Sequence, residues 1–429
     1  MGIKDFNKFF RGTAAKVGYC PDAYQTISLK AFYRERIAVD VSCTMHVEWA
    51  VAQKEIMEAS KIGLIRDGLD LELVFQSWLK RMCRNIHMYI QYGITPIIIF
   101  DGKAPIEKDL NARADRRATS DKAKVEIARL QGVFADMDDL EITSDMMKLF
   151  RREHAKVRYL TKSHQQTFKD VLYQLGIPVM QAISEAEELC SYLCRTGQVA
   201  AVCSLDSDNL VHGCTVLIRK IAGPLSNRTA EIVILRRILD KIQFTFDQFV
   251  DLCIMAGCDY NKNISGKAIT RCYPFIRDYH SIDLLPSTLD VTCLDHIRCR
   301  ELFRAKNNIE DICSGYTNYY VEKDKLLTAR DGLMSYGLDE VVTSYMMHYA
   351  QLPNPTEYYI NIPLNSANMN VIDVTGDTNN EDIDIEASLM SYIDTDIVMS
   401  TPVQYFDIEA SLRSYNNTPD YFTNLQQNN

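Results

Sequence analysis

Two carboxylates one residue apart close a short apolar run: "AVCSLDSDNL" carries Asp206 and Asp208. In an extended chain residues i and i+2 point to the same side, so these like charges crowd one another unless something neutralises them. Two further apolar runs share the design, "RIAVD" ending on Asp40 and "TPIIIFD" ending on Asp101. Helix boundaries supply more acids. "SEAEELCSYLCR" opens on Ser184, and Ser184 with Glu187 fits the S-x-x-E capping box, which accounts for Glu187 and leaves Glu185 unexplained. "FTFDQFVDLCIMAGCDY" reads as a helix capped by Thr245 with Gln248, ending at Gly257 and followed by Asp259. Any single aspartate at such a place makes a turn or a cap more often than a site. Seven acids at one edge (Asp40, Asp101, Glu185, Glu187, Asp206, Asp208, Asp259) repel strongly, and protonating several at pH 7 needs large pKa shifts. Two Mg²⁺ ions about 4 Å apart remove the repulsion, activate a water and stabilise the leaving oxygen of a phosphodiester. No His or Cys spacing competes for a softer metal, so Mg²⁺, with Mn²⁺ as a substitute, is the expected cofactor.

The elements that must position these acids follow from the same runs. Each strand-like run is β-branched and apolar throughout, as in strands buried on both faces. Between them lie helical patterns such as "LELVFQSWLKRMCRNIHMYIQYG", closing with Gly93, and "HQQTFKDVLYQLGIP", closing with Gly176 and Pro178. This alternation predicts an α/β fold with a mainly parallel twisted sheet and helices on both faces. In such sheets ligands bind at the carboxyl ends of the strands, where Asp40, Asp101 and Asp206 gather.

The bulk numbers narrow the class. A 429-residue chain with 47% hydrophobic residues builds a substantial core. It has no run of eighteen apolar residues, and "MGIKDFNKFF" lacks the apolar region of a signal peptide, so a soluble, intracellular protein without a membrane partner is expected. Phe6 stands where a myristoylation motif needs Ser or Thr. The thirteen cysteines include no C-x-x-C pair, which argues for reduced thiols and against zinc. The net charge of -10 looks hostile to nucleic acid. It belongs to residues 351–429, where twelve acids face one base, Arg413, while the preceding body is nearly neutral.

Between Asp101 and Thr161 a charged insert interrupts the strand–helix rhythm. Its first part, "GKAPIEKDLNARADRRATSDKAK", carries Lys103, Lys108, Arg113, Arg116, Arg117, Lys122 and Lys124, partly offset by four acids. Residues 136–145 turn acidic and have no assignment. From about Pro353 the composition becomes that of a disordered acidic tail. "DIEASLMSY" (384–392) recurs there as "DIEASLRSY" (407–415), either a doubled docking motif for a protein partner or a duplication without function.

On "MGIKDFNKFF", "IAVDVS", "GITPIIIFDGKAP" with "RADRR", "LGIPVMQAISEAEELC", "AAVCSLDSDNLVHG" and "FVDLCIMAGCDY", in that order, the chain resembles the flap endonuclease superfamily of structure-specific 5′ nucleases. The resemblance is good to about residue 275 and faint to about 350. It implies a PIN-like 5′ nuclease fold in which all seven acids above form a two-metal site. The insert then corresponds to a helical arch passing a 5′ single strand, with Lys108 and Arg113 on the scissile phosphate. Asp40 and Asp101 are the acids expected to be most directly catalytic. Gly2 is expected near the active site, and His46 where an aromatic stacks a base. Lys103, Arg116 and Arg117 are the expected further DNA contacts. The superfamily's helix-two-turn-helix falls on "NISGKAITRCY", keeping Gly266 but with Ala268, Ile269 and Thr270 where glycine, proline and lysine are usual. A missing glycine limits close approach of backbone to phosphate. Lys267 and Arg271 are the cations left there for duplex DNA, and K⁺ stays open.

These readings divide the chain into a nuclease domain (1–290), a helical extension (291–352) and the acidic tail (353–429). The first comprises an N-terminal part (1–101), the arch (102–160) and an internal part (161–290) with the helix-two-turn-helix near 259–280. The expected activity is Mg²⁺-dependent cleavage of DNA flaps, nicks or ends in replication or repair by a monomer, giving a 5′-phosphate and a 3′-hydroxyl. The nucleus or a site of viral or cellular DNA replication would be its location. Two rivals stay open: a 5′ to 3′ exoribonuclease or PIN-type RNase, and a non-catalytic junction-binding scaffold. No sliding-clamp motif is present, since Gln404 is followed three positions later by Asp407.

Overall fold

The computed structural model describes residues 2–12, 19–59, 68–108, 110, 113–138, 141–306 and 308–317, with isolated positions between 333 and 343. The repeated tail motif and the rest of the predicted tail lie outside the described residues. So does most of the segment after 317.

One eight-stranded sheet organises the chain, in the order β1-β7-β6-β5-β2-β3-β4-β8. Its centre is parallel: β2 (Arg36–Asp40) lies between β3 (Thr95–Phe100) and β5 (Ala201–Cys203), with β4 (Val179–Ala182) beside β3 and β6 (Val216–Ala222) beside β5. The edges are antiparallel: β7 (Thr229–Ile234) and β1 (Tyr24–Ser28) on one side, β8 (Cys313–Thr317) on the other. The predicted helical extension therefore contributes a strand to this sheet as well as a helix.

Strand alternation sends side chains to two cores. Ala38, Ile97, Ile99, Val202 and Leu217 face a core shared with α1 (Phe6–Phe10), α8 (Ala186–Arg195), α11 (Phe246–Ala256) and α12 (Ile269–Tyr279). Ile37, Val39, Ile98, Phe100 and Ala201 face the other, built with α2 (Val41–Ala59), α3 (Leu71–Gln91) and α7 (Lys162–Gln174). Both faces being apolar is why the runs read as unbroken hydrophobic stretches.

The insert begins with a three-residue helix, α4 (Ile106–Lys108), then a helical pair, α5 (Ala114–Ala135) and α6 (Ser144–Lys156). The acidic stretch 136–145 runs from the end of α5 into the first turn of α6, and the pair has a small core of its own: Ile127, Leu130 and Phe134 against Phe150, with Met57 of α2. Gln53 Nε2 of α2 donates to the carbonyl of His154 at 2.8 Å and ties the pair to the body. Further α-helices among the described residues are α9 (Asp208–Val211), α10 (Leu235–Ile242) and α13 (His296–Phe303).

Several predicted boundaries form as read, among them the capping box of Thr245 with Gln248 and the glycines at positive φ after α3 and α7. The Ser184–Glu187 capping box does not form. Glu185 is the N-cap of α8 and makes no side-chain cap bond. Asp101 Oδ1, arriving from the end of β3, accepts the Ala186 N–H at 2.8 Å instead. An ionised acceptor is a stronger partner for a helix N-terminus than a serine hydroxyl. Ser184 is drawn elsewhere, its carbonyl accepting Gly102 N–H at 2.6 Å.

Candidate active site

The carboxyl edge of the central strands collects the acids named above. Asp40 is the last residue of β2, Asp101 follows β3, and Glu185 and Glu187 open α8. Asp206 and Asp208 lie in the turn from β5 into α9, and Asp259 follows α11 and Gly257. The pairing of Asp206 with Asp208 is not the strand alternation predicted from the sequence. The chain has left β5 at Cys203, and Asp208 N–H donates to Asp206 Oδ1 at 3.1 Å, so a turn brings the two together. The start of the chain closes over this turn. Gly2 has φ +81, and a Cβ there would stand 2.0 Å from Asp206 Oδ1 and 2.7 Å from Asp208 Oδ1, so only glycine fits.

Asp40, Glu185, Glu187, Asp206 and Asp208 are buried. Burial, then the neighbouring Asp101, pushes the Asp40 carboxyl up; Ser204 and Ser42 pull the other way. Glu187 rises for the same first reason, with Lys108 opposing and Asp40, Glu185 and Asp101 adding. Asp208 rises through burial and then through Asp206 and Asp259. Asp206 also acts on Asp40, so mutual repulsion links all seven carboxylates along this edge.

One lysine stands among them. Lys108 Nζ bonds Glu185 Oε2 and lies 3.6 Å from Asp259 Oδ2. Its burial alone would lower the ammonium's pKa, but Glu187, Glu185 and Asp259 outweigh that and hold it above the usual range. Arg116 Nη2 reaches Asp259 Oδ2 at 3.4 Å. Arg113, at the start of α5, also favours the ionised form of Glu185.

Among the described residues no three His, Cys, Asp or Glu side chains stand close enough to grip an ion as they are. Two observations nevertheless fit a divalent metal. The donors are all hard carboxylate oxygens, and Asp208 Oδ1 is buried without a hydrogen-bond donor, which is costly unless a cation serves it.

The other expected DNA contacts divide by place. His46, near the start of α2, is exposed at its edge yet flanked closely enough that partial desolvation, then the Arg158 guanidinium, with Asp101 opposing and Arg116 adding, holds its imidazole below its ordinary pKa. Lys103 and Arg117 are exposed on the insert. Gly266, Lys267 and Arg271 sit at the entry to α12, apart from the carboxylate contacts described above. There Gly266 has φ +71, Lys267 Nζ covers the Phe275 ring at 4.6 Å, and Arg271 Nη1 donates to Gly266 O at 2.8 Å.

Three groups escaped the reading of the sequence. Ser204 Oγ donates to Asp40 Oδ2 at 2.7 Å and accepts Asp206 N–H at 3.0 Å, joining two strand ends. The buried Tyr260 hydroxyl donates to Glu185 Oε2 at 3.2 Å. Arg158 adds positive potential beside Arg116 and Arg113. Ser204 and Tyr260 flank motif acids in the sequence, which was the available signal; Arg158 carried none.

Comparison with known proteins gives a consistent set of likenesses. Residues 1–123 match the XPG N-terminal domain, and residues 176–259 match the XPG I-region. Flap endonuclease 1 of Enterocytozoon bieneusi (strain H348) is 31% identical over 293 residues, 68% of this chain and 74% of that protein. Flap endonuclease 1 of Caenorhabditis briggsae is 31% identical over 313 residues, 71% of this chain and 74% of that protein. Among solved structures, human GEN1 in complex with Holliday junction DNA superposes with a TM-score of 0.50 at 16% identity, covering 81% of this chain and 78% of that one. The last is a likeness of fold.

Proposed function

Because this chain belongs to the flap endonuclease family, we propose that it is a divalent-metal-dependent, structure-specific 5′ nuclease acting on DNA at single-strand/double-strand junctions. The observation that carries this reading is the convergence of seven carboxylates, from three strand ends and two helix termini, on one cleft beside Lys108 and Arg116. Asp40, Asp101, Glu185, Glu187, Asp206, Asp208 and Asp259 are the residues that would hold two Mg²⁺ ions. When bound, the ions supply water activation and charge neutralisation for an in-line displacement at phosphorus.

The remaining work falls to the protein. Ser204 orients Asp40, Tyr260 orients Glu185, and Gly2 lets the chain's start pack against Asp206. Lys108 and Arg113 oppose the negative charge that builds on the phosphoryl oxygens, where preorganised cations are worth most because water is excluded. Water oxygen bonds to phosphorus, the bond from phosphorus to O3′ breaks, and O3′ takes a proton, leaving a 5′-phosphate and a 3′-hydroxyl. Selection of substrate comes from backbone shape and the junction, with Lys103, Arg116 and Arg117 on the insert and Lys267 and Arg271 at the entry to α12 as backbone contacts.

Asp40→Ala and Asp206→Ala are each expected to abolish cleavage of a 5′-flap substrate while leaving junction binding largely intact. A gel with 5′-flap, nicked, blunt and single-stranded DNA and a matched RNA, with and without Mg²⁺, reads the result. Wild-type cleavage by both variants would refute the metal-site assignment. RNA cleaved in preference to DNA would move the activity to an exoribonuclease, and tight flap binding without Mg²⁺-dependent product to a scaffold.

A further inference from the structure

Helix α13 is fastened to α11 by Arg300, whose Nε and Nη2 donate to the two carboxylate oxygens of buried Asp251 at 2.6 and 2.7 Å. Its Nη1 donates to Asp283 at 2.6 Å, and Cys299 and Phe303, one turn apart, are buried on the inner side. From this fixed helix Arg298 reaches the base of the insert. Its Nε donates to Glu107 Oε1 at 2.8 Å, and its Nη1 to Glu301 Oε2 at 2.9 Å. Glu107 immediately precedes Lys108 in α4.

These contacts close a circuit. Helix α11 holds α13 through Asp251 and Arg300, α13 holds α4 through Arg298 and Glu107, and α4 returns Lys108 to Asp259, just beyond the end of α11. A three-residue helix has little stability of its own, and Ile106, its first residue, is 68% exposed. The orientation of α4 therefore depends on its polar contacts.

We propose that Arg298 is a positioning residue for cleavage: its ion pair with Glu107 sets where the Lys108 ammonium stands against the carboxylates. This rests on the reading of Lys108 as the cation that opposes phosphoryl charge. Arg298 lies outside both matched family regions, so the brace is argued from this chain's own contacts. Magnitudes separate its two conceivable roles. The Arg298 side chain is 44% exposed, and such pairs contribute little to global stability. A displacement of about 1 Å at a catalytic group can cost about 100-fold in rate. The pair should matter to turnover far more than to folding.

The test uses the full chain and a 5′-flap DNA with Mg²⁺. Arg298→Glu is expected to lower the single-turnover rate about tenfold or more while changing flap binding and melting temperature little. Reversing both charges, Glu107→Arg with Arg298→Glu, is expected to recover most of the rate. In a Lys108→Met background Arg298→Glu should cost nothing further, because the brace acts through that lysine. Amine-reactive labelling read by mass spectrometry should find Lys108 protected in the wild type and exposed in Arg298→Glu, independently of activity. If Arg298→Glu and Glu107→Gln both cleave at the wild-type rate while Lys108→Met is slowed to a low but measurable rate, the brace is refuted. A rate lost together with melting temperature, and not recovered by the reversed pair, refutes it too. Wild-type cleavage by Lys108→Met would instead overturn the reading of Lys108.

Discussion

Ser204 makes two contacts in the acidic cleft, one to the carboxylate of Asp40 and one to the backbone of Asp206. Removing its hydroxyl leaves Asp40 Oδ2 without that donor and free to rotate away from its neighbours. Groups that orient a metal ligand typically affect affinity by about 10- to 100-fold. Ser204→Ala is thus expected to raise the Mg²⁺ concentration for half-maximal cleavage by about tenfold or more, and Ser204→Thr, which keeps the oxygen, to stay near wild type. A Mn²⁺ binding titration checks the same shift without turnover. At this scale the acids were readable because each ends an apolar run or opens a helix pattern. The groups that hold them were not, since a serine or tyrosine beside an aspartate looks the same whether or not it turns inward.

The turn after β3 shows how an element carries its acid. Gly102 N–H donates to Ser184 O, and a Cβ on Gly102 would stand 2.2 Å from Ile183 O and 2.3 Å from Ala182 O. Those are backbone atoms that cannot swing aside. Gly102→Ala is expected to push β3 away from the start of α8, with a stability loss of about 1–3 kcal/mol in chemical denaturation. It should also abolish cleavage, because Asp101 would lose its place on Ala186 N–H. The strands and the Thr245 cap were visible in the chain because pleat alternation and capping are local patterns. The cap of α8 was misread because its true acceptor, Asp101, lies 85 residues away.

Across the whole molecule, two buried histidines, His154 and His212, weaken the fold as acid protonates them. His154, on the inner side of α6, is pushed down to about 4 by burial. His212, behind the carboxylates, is pushed down to about 3, first by burial and then by Lys108, Lys306 and Arg195. Both folded values lie below the unfolded value of about 6.5, so the unfolded chain binds protons first as pH falls. Their stabilisation is complete above about pH 6.5 and is lost as pH drops toward 4 and then 3. The raised carboxyls of Asp40, Glu187 and Asp208 act with the opposite sign over the same window, so the histidine contribution is read by difference: the change in urea midpoint from pH 6.5 to pH 4 should be less negative in His154→Gln than in the wild type. Among the described residues no helix is long and apolar enough to cross a membrane. The sequence by itself determined the alternating architecture, the strand-end acids and the basic insert between them, because periodicity and run length express local burial. Only the tertiary structure decided that Asp206 and Asp208 meet in a turn, that Lys108 stands among the carboxylates, and that Arg298 reaches Glu107 across 191 residues. Such contacts are made by side chains whose neighbours in sequence say nothing of their neighbours in space.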